Sequence, residues 1–223
     1  MKNLQEYIEE SLLDDEDDLL NSIDDSIVDS IKQYLENNYV GSEKCKISGP
    51  DKDGKYVVDC ESNLIVRNHS ISQLTNGMFK FRRVKGKFAC DDSIITSLEG
   101  APEIVDYTFS CSYCGSLTSL EGAPEKVGGD FDCSYCFKLK TLKGAPKEVG
   151  GYFNCRYCDK LTSLEGAPKE VGGGFVCADC KSLTSLKGAP KKVGSDFYCV
   201  GCKAEFTKDD VTAVSKVKNN IYC

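Results

Sequence analysis

The 223-residue chain carries 28 basic and 35 acidic side chains, for a formal net charge of −7, with 14 cysteines and no tryptophan. That length can bury a sizeable core, a cysteine content of about 6 % lies below that of short disulfide scaffolds, and no apolar run approaches the roughly 20 residues that span a bilayer. The charge is divided: residues 1–40 hold 12 acidic side chains against Lys2 and Lys32, whereas the remainder holds 23 acidic and 26 basic, a nearly neutral body with little electrostatic reason to bind nucleic acid.

Residues 1–40 read as an acidic helical leader or cap. Leu4, Ile8 and Leu12 recur every four residues, and Leu19, Ile23, Ile27, Ile31 and Leu35 do the same, which marks the apolar face of an amphipathic helix. The run from Asp14 to Asp18 precedes that face, at the end where a helix dipole favours negative charge. A secretory signal needs a basic start and an apolar stretch where this leader is acidic, so a cytoplasmic location with reduced thiols is expected.

Residues 41–63 read as a β-hairpin cap: two short apolar runs flank a turn rich in Gly, Pro and Asp. Cys45 and Cys60 lie on its two strands and are expected as a core-facing pair.

From residue 64 to 223 the chain is an array of repeats. Cys-x-x-Cys begins at Cys111, Cys133, Cys155, Cys177 and Cys199, each 22 residues from the last. Less regular units spaced by 21–24 residues surround them, giving eight strand positions. A fixed period in this range predicts a solenoid of stacked units with short parallel strands, roughly 35 Å long. Gly-Ala-Pro in each return argues against a full helix there and predicts an irregular or 3₁₀ path. Near the end, Thr207 reads as the N-cap of a capping helix over about 207–217, with Asp209 and Asp210 in its first turn.

Aligning the units separates the Cys-x-x-Cys motif into two columns. The first contains Val66 as well as cysteines, so it wants a small apolar body. The second contains His69, Ser93, Cys114, Cys136, Cys158, Cys180 and Cys202, small or polar groups suited to a ladder that bonds turn backbone. The motif spacing also fits a zinc template, but four thiolates must converge on one ion, and five motifs leave one without a partner. No metal and no cofactor are expected.

The sequence Phe131, Cys133, Cys136, Leu139, Leu142 resembles the consensus of leucine-rich repeat proteins, and the resemblance covers residues 64–223. It implies an α+β leucine-rich repeat solenoid in which residues flanking the core positions of each strand face a concave surface. The near-identical Gly-Ala-Pro-Lys-Glu-Val-Gly-Gly units are similar to those of leucine-rich repeat proteins from phages and gut bacteria. Separately, Met1, Lys2, Gln5, Glu6, Tyr7, Ile8 and Glu10 resemble the capsid-targeting leader of internal head proteins from T-even-like phages. That resemblance implies cleavage after Glu10 by a head protease and packaging in a phage head.

No catalytic constellation is expected. His69 is the sole histidine, the leader carboxylates read as a solvated face, and the glycines do not form a phosphate loop. What remains is surface. Tyr113, Tyr135 and Tyr157 form one column, and Asp132, Asn154 and Tyr198 belong to the next, with Arg156 beside Tyr157. Exposed Tyr and Arg are the chemistry of binding hot spots. The expectation is a non-enzymatic protein-binding module, phage-encoded, acting on a host protein in host takeover or anti-defence, with no nucleic-acid or membrane partner. A virion scaffold protein and a zinc-binding or redox Cys-x-x-Cys array are the alternatives.

Overall fold

The computed structural model describes residues 24–75 and 77–223, so Glu10, the leader motif and the acidic run from Asp14 to Asp18 lie outside the described residues. Helix α1 spans 24–38 and runs directly into β1 (Tyr39–Val40). A 3₁₀ turn at Ser42–Lys44 leads to the hairpin of β2 (Cys45–Ser48) and β3 (Tyr56–Cys60). Beyond it, each turn of a parallel β-solenoid supplies two strands: β4 (Leu64–Val66) and β5 (Phe79–Val84), β6 (Phe88–Ala89) and β7 (Ile104–Val105), β8 (Phe109–Ser110) and β9 (Lys126–Val127). The series continues with β10 (Phe131–Asp132) and β11 (Glu148–Val149), β12 (Phe153–Asn154) and β13 (Glu170–Val171), β14 (Phe175–Val176) and β15 (Lys192–Val193). It ends with β16 (Phe197–Tyr198), helix α2 (Lys208–Val214), β17 (Lys216–Val217) and β18 (Ile221–Tyr222).

These strands form two nine-stranded sheets. The first holds β1 and the even-numbered strands from β4 to β18, and contains all eight strand positions expected from the repeats. The second runs β17-β15-β13-β11-β9-β7-β5-β3-β2. Pairing is parallel throughout except at the N-terminal end, where β1 on β4 and β2 on β3 are antiparallel. The return of each turn is therefore not simply irregular or 3₁₀, as its Gly-Ala-Pro suggested. One Val in each return is buried and extended, and a second parallel sheet grows from that column (Val105, Val127, Val149, Val171, Val193).

One turn explains the core. Phe131, Cys133, Cys136, Leu139, Leu142 and Val149 are all at most 4 % exposed. The Phe column stacks through the interior, with ring centroids 5.2 Å apart for Phe109–Phe131 and for Phe131–Phe153. Backbone bonds run in both directions: in the first sheet Phe131 N–H donates to Tyr152 C=O of the next turn (2.8 Å), and in the second Gly150 N–H donates to Val127 C=O of the preceding turn (2.9 Å). Each turn is thus bonded to both neighbours, as buried backbone requires.

The second cysteine column adds a side-chain ladder. The thiols of Cys114, Cys136, Cys158, Cys180 and Cys202 donate to the carbonyls of Cys90, Cys111, Cys133, Cys155 and Cys177 in the preceding turn, at 3.1–3.3 Å. Ser93 bonds the Cys90 carbonyl within its own turn (2.7 Å). His69 departs from the expected ladder. Its ring is exposed, and Nδ1 lies 3.0 Å from the Asp91 carbonyl of the following turn. An imidazole is too large for a slot that accepts Ser or Cys.

The ends are closed by different means. Ile31 and Leu35 of α1 are buried against the first turns, and Tyr34 packs edge-on against Phe79. Tyr39 donates to the Leu74 carbonyl. Cys45 and Cys60, opposite each other on β2 and β3, are joined in a disulfide rather than standing as two thiols; their hairpin is the outermost part of the second sheet. The other 12 cysteines are free. Helix α2 begins on Thr207 with a full capping box to Asp210, as its sequence suggested, but it stops at Val214. The residues expected to continue it instead form β17, so the repeat resumes after the helix and both sheets gain one more strand.

Two substitutions test this packing. A Cβ on Gly150 would lie 2.0 Å from the Gly128 carbonyl oxygen, whereas one on Gly115 would meet nothing within 4 Å. Gly150→Ala is expected to cost about 1–3 kcal/mol or more by forcing two turns apart, and Gly115→Ala about 0.5 kcal/mol or less; urea unfolding midpoints compare them. Cys136→Val removes the donor to the Cys111 carbonyl and is expected to cost about 1–3 kcal/mol. Cys136→Ser keeps a donor and should cost less; equal losses in urea would sink the ladder's role.

Candidate binding surface

The tyrosine column does not lie within the strands. Tyr113, Tyr135 and Tyr157 sit in the tight turn that follows each first-sheet strand, and their φ angles are +59°, +59° and +57°. The flanking members of the column are Asp92 (φ +54°), Asp179 (φ +59°) and Gly201 (φ +70°). Six successive turns therefore carry a left-handed residue at this position. Asp and Gly suit that geometry, whereas a bulky side chain there costs roughly 1–2 kcal/mol. Three successive turns nevertheless place tyrosine where the backbone favours a smaller residue.

The rings recover part of that cost from one another. Tyr113 and Tyr135 stack with centroids 4.4 Å apart and planes within 4°; Tyr135 and Tyr157 stack at 4.6 Å. Such pairs contribute about 0.5–1.5 kcal/mol beyond their burial. Arg156 lies over Tyr157 with its guanidinium carbon 4.7 Å from the ring centre. Its Nε and Nη2 donate to Asp179 at 3.0 and 2.8 Å, and Nη2 also reaches the Tyr157 hydroxyl at 3.2 Å. Tyr113 remains 51 % exposed, and Phe137, 45 % exposed, meets Tyr135 edge-on.

The neighbouring column divides into different roles. Asp132 and Asn154 each spend a side-chain oxygen on the backbone N–H two residues on, at Ser134 (2.9 Å) and Arg156 (3.1 Å), which stabilises the turn carrying the tyrosine. Tyr198 stacks on Tyr222 at 4.6 Å and forms a second, separate aromatic pair near the C-terminal end. The structure thus brings Tyr113, Tyr135, Tyr157 and Arg156 into one patch, gives Asp132 and Asn154 to its support, and sets Tyr198 apart. Alignment of the slots puts Asp179 in the tyrosine column but shows neither its pairing with Arg156 nor the left-handed backbone. The signal was present in the Asp, Tyr, Gly composition of that column.

The thiols do not titrate alike: hydrogen bonding to the Cys90 and Cys177 positions draws the Cys114 thiol down to about 7 and lowers that of Cys202. Burial pushes the Cys133, Cys155 and Cys177 thiols well above their ordinary range, so they stay neutral. Among the described residues, no group of three or more Cys, His, Asp or Glu is placed to hold a metal ion. No helix of the described residues is long and apolar enough to cross a membrane.

Fold and surface together define a two-sheet parallel β-solenoid repeat protein with an aromatic–arginine patch on its turns. Comparison with family models, curated proteins and solved structures finds no match.

Substitutions at Tyr113 separate ring stacking from backbone strain. Tyr113→Asn exchanges a stacked ring for a residue that tolerates left-handed backbone, so stability should change by less than about 1 kcal/mol. Tyr113→Ala loses the ring and keeps most of the backbone cost, so it should be the less stable variant. Equal unfolding free energies for the two would remove the claim that backbone strain is held at this position.

Proposed function

We propose that the protein is a non-enzymatic binding module whose partner docks on the surface built from Tyr113, Tyr135, Tyr157 and Arg156. The observation that carries this reading is the placement of three adjacent tyrosines at left-handed positions that Asp or Gly fills in the flanking turns. Core packing does not require them, because the buried Phe, Cys, Leu and Val columns are complete without them. Rigid aromatic rings with an ordered arginine form a preorganised patch, the kind of surface on which a few residues dominate binding.

The partner is proposed to be a host protein met by a phage-encoded chain. This rests on the likeness of the first ten residues to a capsid-targeting leader and of the repeats to leucine-rich repeat proteins of phages. In that reading the repeats are a cysteine-rich relative of the leucine-rich repeat, the protein travels in a phage head after cleavage at Glu10, and it acts in the host cytoplasm to redirect a host protein or blunt a defence.

Replacing Tyr135 and Tyr157 together with Ala is expected to weaken partner binding at least about tenfold, since hot-spot truncations commonly cost 2 kcal/mol or more (~2 kcal/mol). Affinity capture from host lysate with the wild-type and doubly substituted proteins, followed by calorimetry on any protein captured, measures this. Equal capture by the two would place the binding surface elsewhere.

A further inference from the structure

The tyrosine stack has two ends, and the protein's own residues fill only one. At the Tyr157 end, Tyr135 covers one face of the ring, and Arg156 lies over the ring while pairing with Asp179, the next member of the same column. The guanidinium is therefore held between an aromatic face and a carboxylate that stand one turn apart. At the other end the parts recur in reverse order. Tyr113 turns one face to Tyr135 and the opposite face toward the turn of Asp92. Asp92 stands in the same column with the same left-handed backbone as Asp179 (φ +54° and +59°).

Among the described residues, no ring or guanidinium covers that face of Tyr113, and no ion pair or hydrogen bond engages the Asp92 carboxylate. Arg67 stands one turn before Asp92, as Arg156 stands one turn before Asp179, yet it makes no ion pair with Asp92. Where Asp179 has Lys181 two residues on, at 3.6 Å, Asp92 has Ile94, which is 56 % exposed. Asp91 adds a second carboxylate to the same turn; it is committed to Ser110 and Ser112, and lies 3.9 Å from Lys87.

We propose that the step between Tyr113 and Asp92 is a binding site for a guanidinium group, filled by an arginine side chain of the protein partner. The ring face supplies the cation–π contact, Asp92 the charge, and Ile94 an apolar neighbour for the arginine methylenes. The Tyr157–Arg156–Asp179 arrangement is the intramolecular example of the same geometry. The proposal rests on the reading of the tyrosine column as a binding face and names the group that this face recognises.

The test uses the full chain and a blocked pentapeptide, Gly-Gly-Arg-Gly-Gly, beside the same peptide with citrulline, which keeps the shape of arginine without its charge. Tyrosine ring resonances are followed by NMR during titration, with those of Tyr113 identified from Tyr113→Phe, which retains the aromatic face. The expected result is saturable movement of the Tyr113 ring signals at about millimolar peptide, with the citrulline peptide at least about threefold weaker. Asp92→Asn should weaken the arginine peptide by about three- to fivefold. Asparagine is tolerated in left-handed backbone, and an unchanged circular dichroism spectrum verifies the fold.

Absence of saturable movement, equal shifts with the citrulline peptide, or unchanged affinity in Asp92→Asn would each overturn the guanidinium site. If the site fails while Tyr135→Ala with Tyr157→Ala still abolishes partner capture, the binding face stands and only its ligand chemistry is wrong. Loss of both removes the face as well.

Discussion

Neighbouring turns approach so closely that a single added carbon has no room at the tightest points. A Cβ on Gly150 would lie 2.0 Å from the carbonyl oxygen of Gly128, and one on Gly144, whose φ is +90°, would lie 2.5 Å from the Cα of Glu121. This spacing is what allows each turn to bond the next along both sheets and places the Phe rings and the thiol ladder in contact. It also fixes where side chains may vary. Each inward column holds nearly one side-chain type, Phe, Cys, Leu or Val, with Leu64, Ser93 and Ile95 among the exceptions in the first turns, and outward positions on the turns differ more. Repeat proteins of this kind gain stability mainly through the interfaces between adjacent units, and here those interfaces are almost wholly backbone, sulfur and ring.

The outward turns show a conflict between backbone and side chain. The column through Asp92, Tyr113, Tyr135, Tyr157, Asp179 and Gly201 requires left-handed backbone, and only some of its members suit it. Stacking offsets part of the cost for the three tyrosines, and Arg156, anchored by Asp179, orders one end of the stack. Local strain of this type is common at functional positions, and inference properly runs from the strain to the function. The core cysteines show no such conflict: Cys133, Cys155 and Cys177 are buried with thiols held neutral, and the ladder cysteines spend their weak donors on carbonyls. Their abundance follows from the two core columns that recur in every turn.

Much of the solenoid was legible from the repeats. The eight first-sheet strands, the core columns, the small or polar character of the ladder slot and the Thr207 cap all follow from the spacing of Phe, Cys, Leu and Thr. The second sheet was not, because most of its turns present a single buried valine to pattern analysis, whereas the first-sheet strands carry the Phe-x-Cys alternation. The disulfide between Cys45 and Cys60 needed the cross-strand register of the hairpin, and expecting reduced thiols pointed away from it. His69 was misplaced because it shares the alignment of the ladder column without fitting its volume. The three tyrosines were visible as a column, but not their backbone: a sequence does not state φ, and only the Asp and Gly in the same column hinted at it.

On the edge of the stack, the residues following Leu120, Leu142, Leu164 and Leu186 are Glu121, Lys143, Glu165 and Lys187, and they pair across turns as Lys143 with Glu121 and Lys187 with Glu165, both at 2.7 Å. Each pair is exposed and individually weak. The alternation nevertheless makes the electrostatic period of this row twice the structural one. Loss or gain of one unit would preserve the hydrogen-bond register but set like charges side by side along this row, whereas a change of two units would leave both patterns intact. Within this part of the array, the unit in which length can change without electrostatic penalty is the pair of turns rather than the single turn.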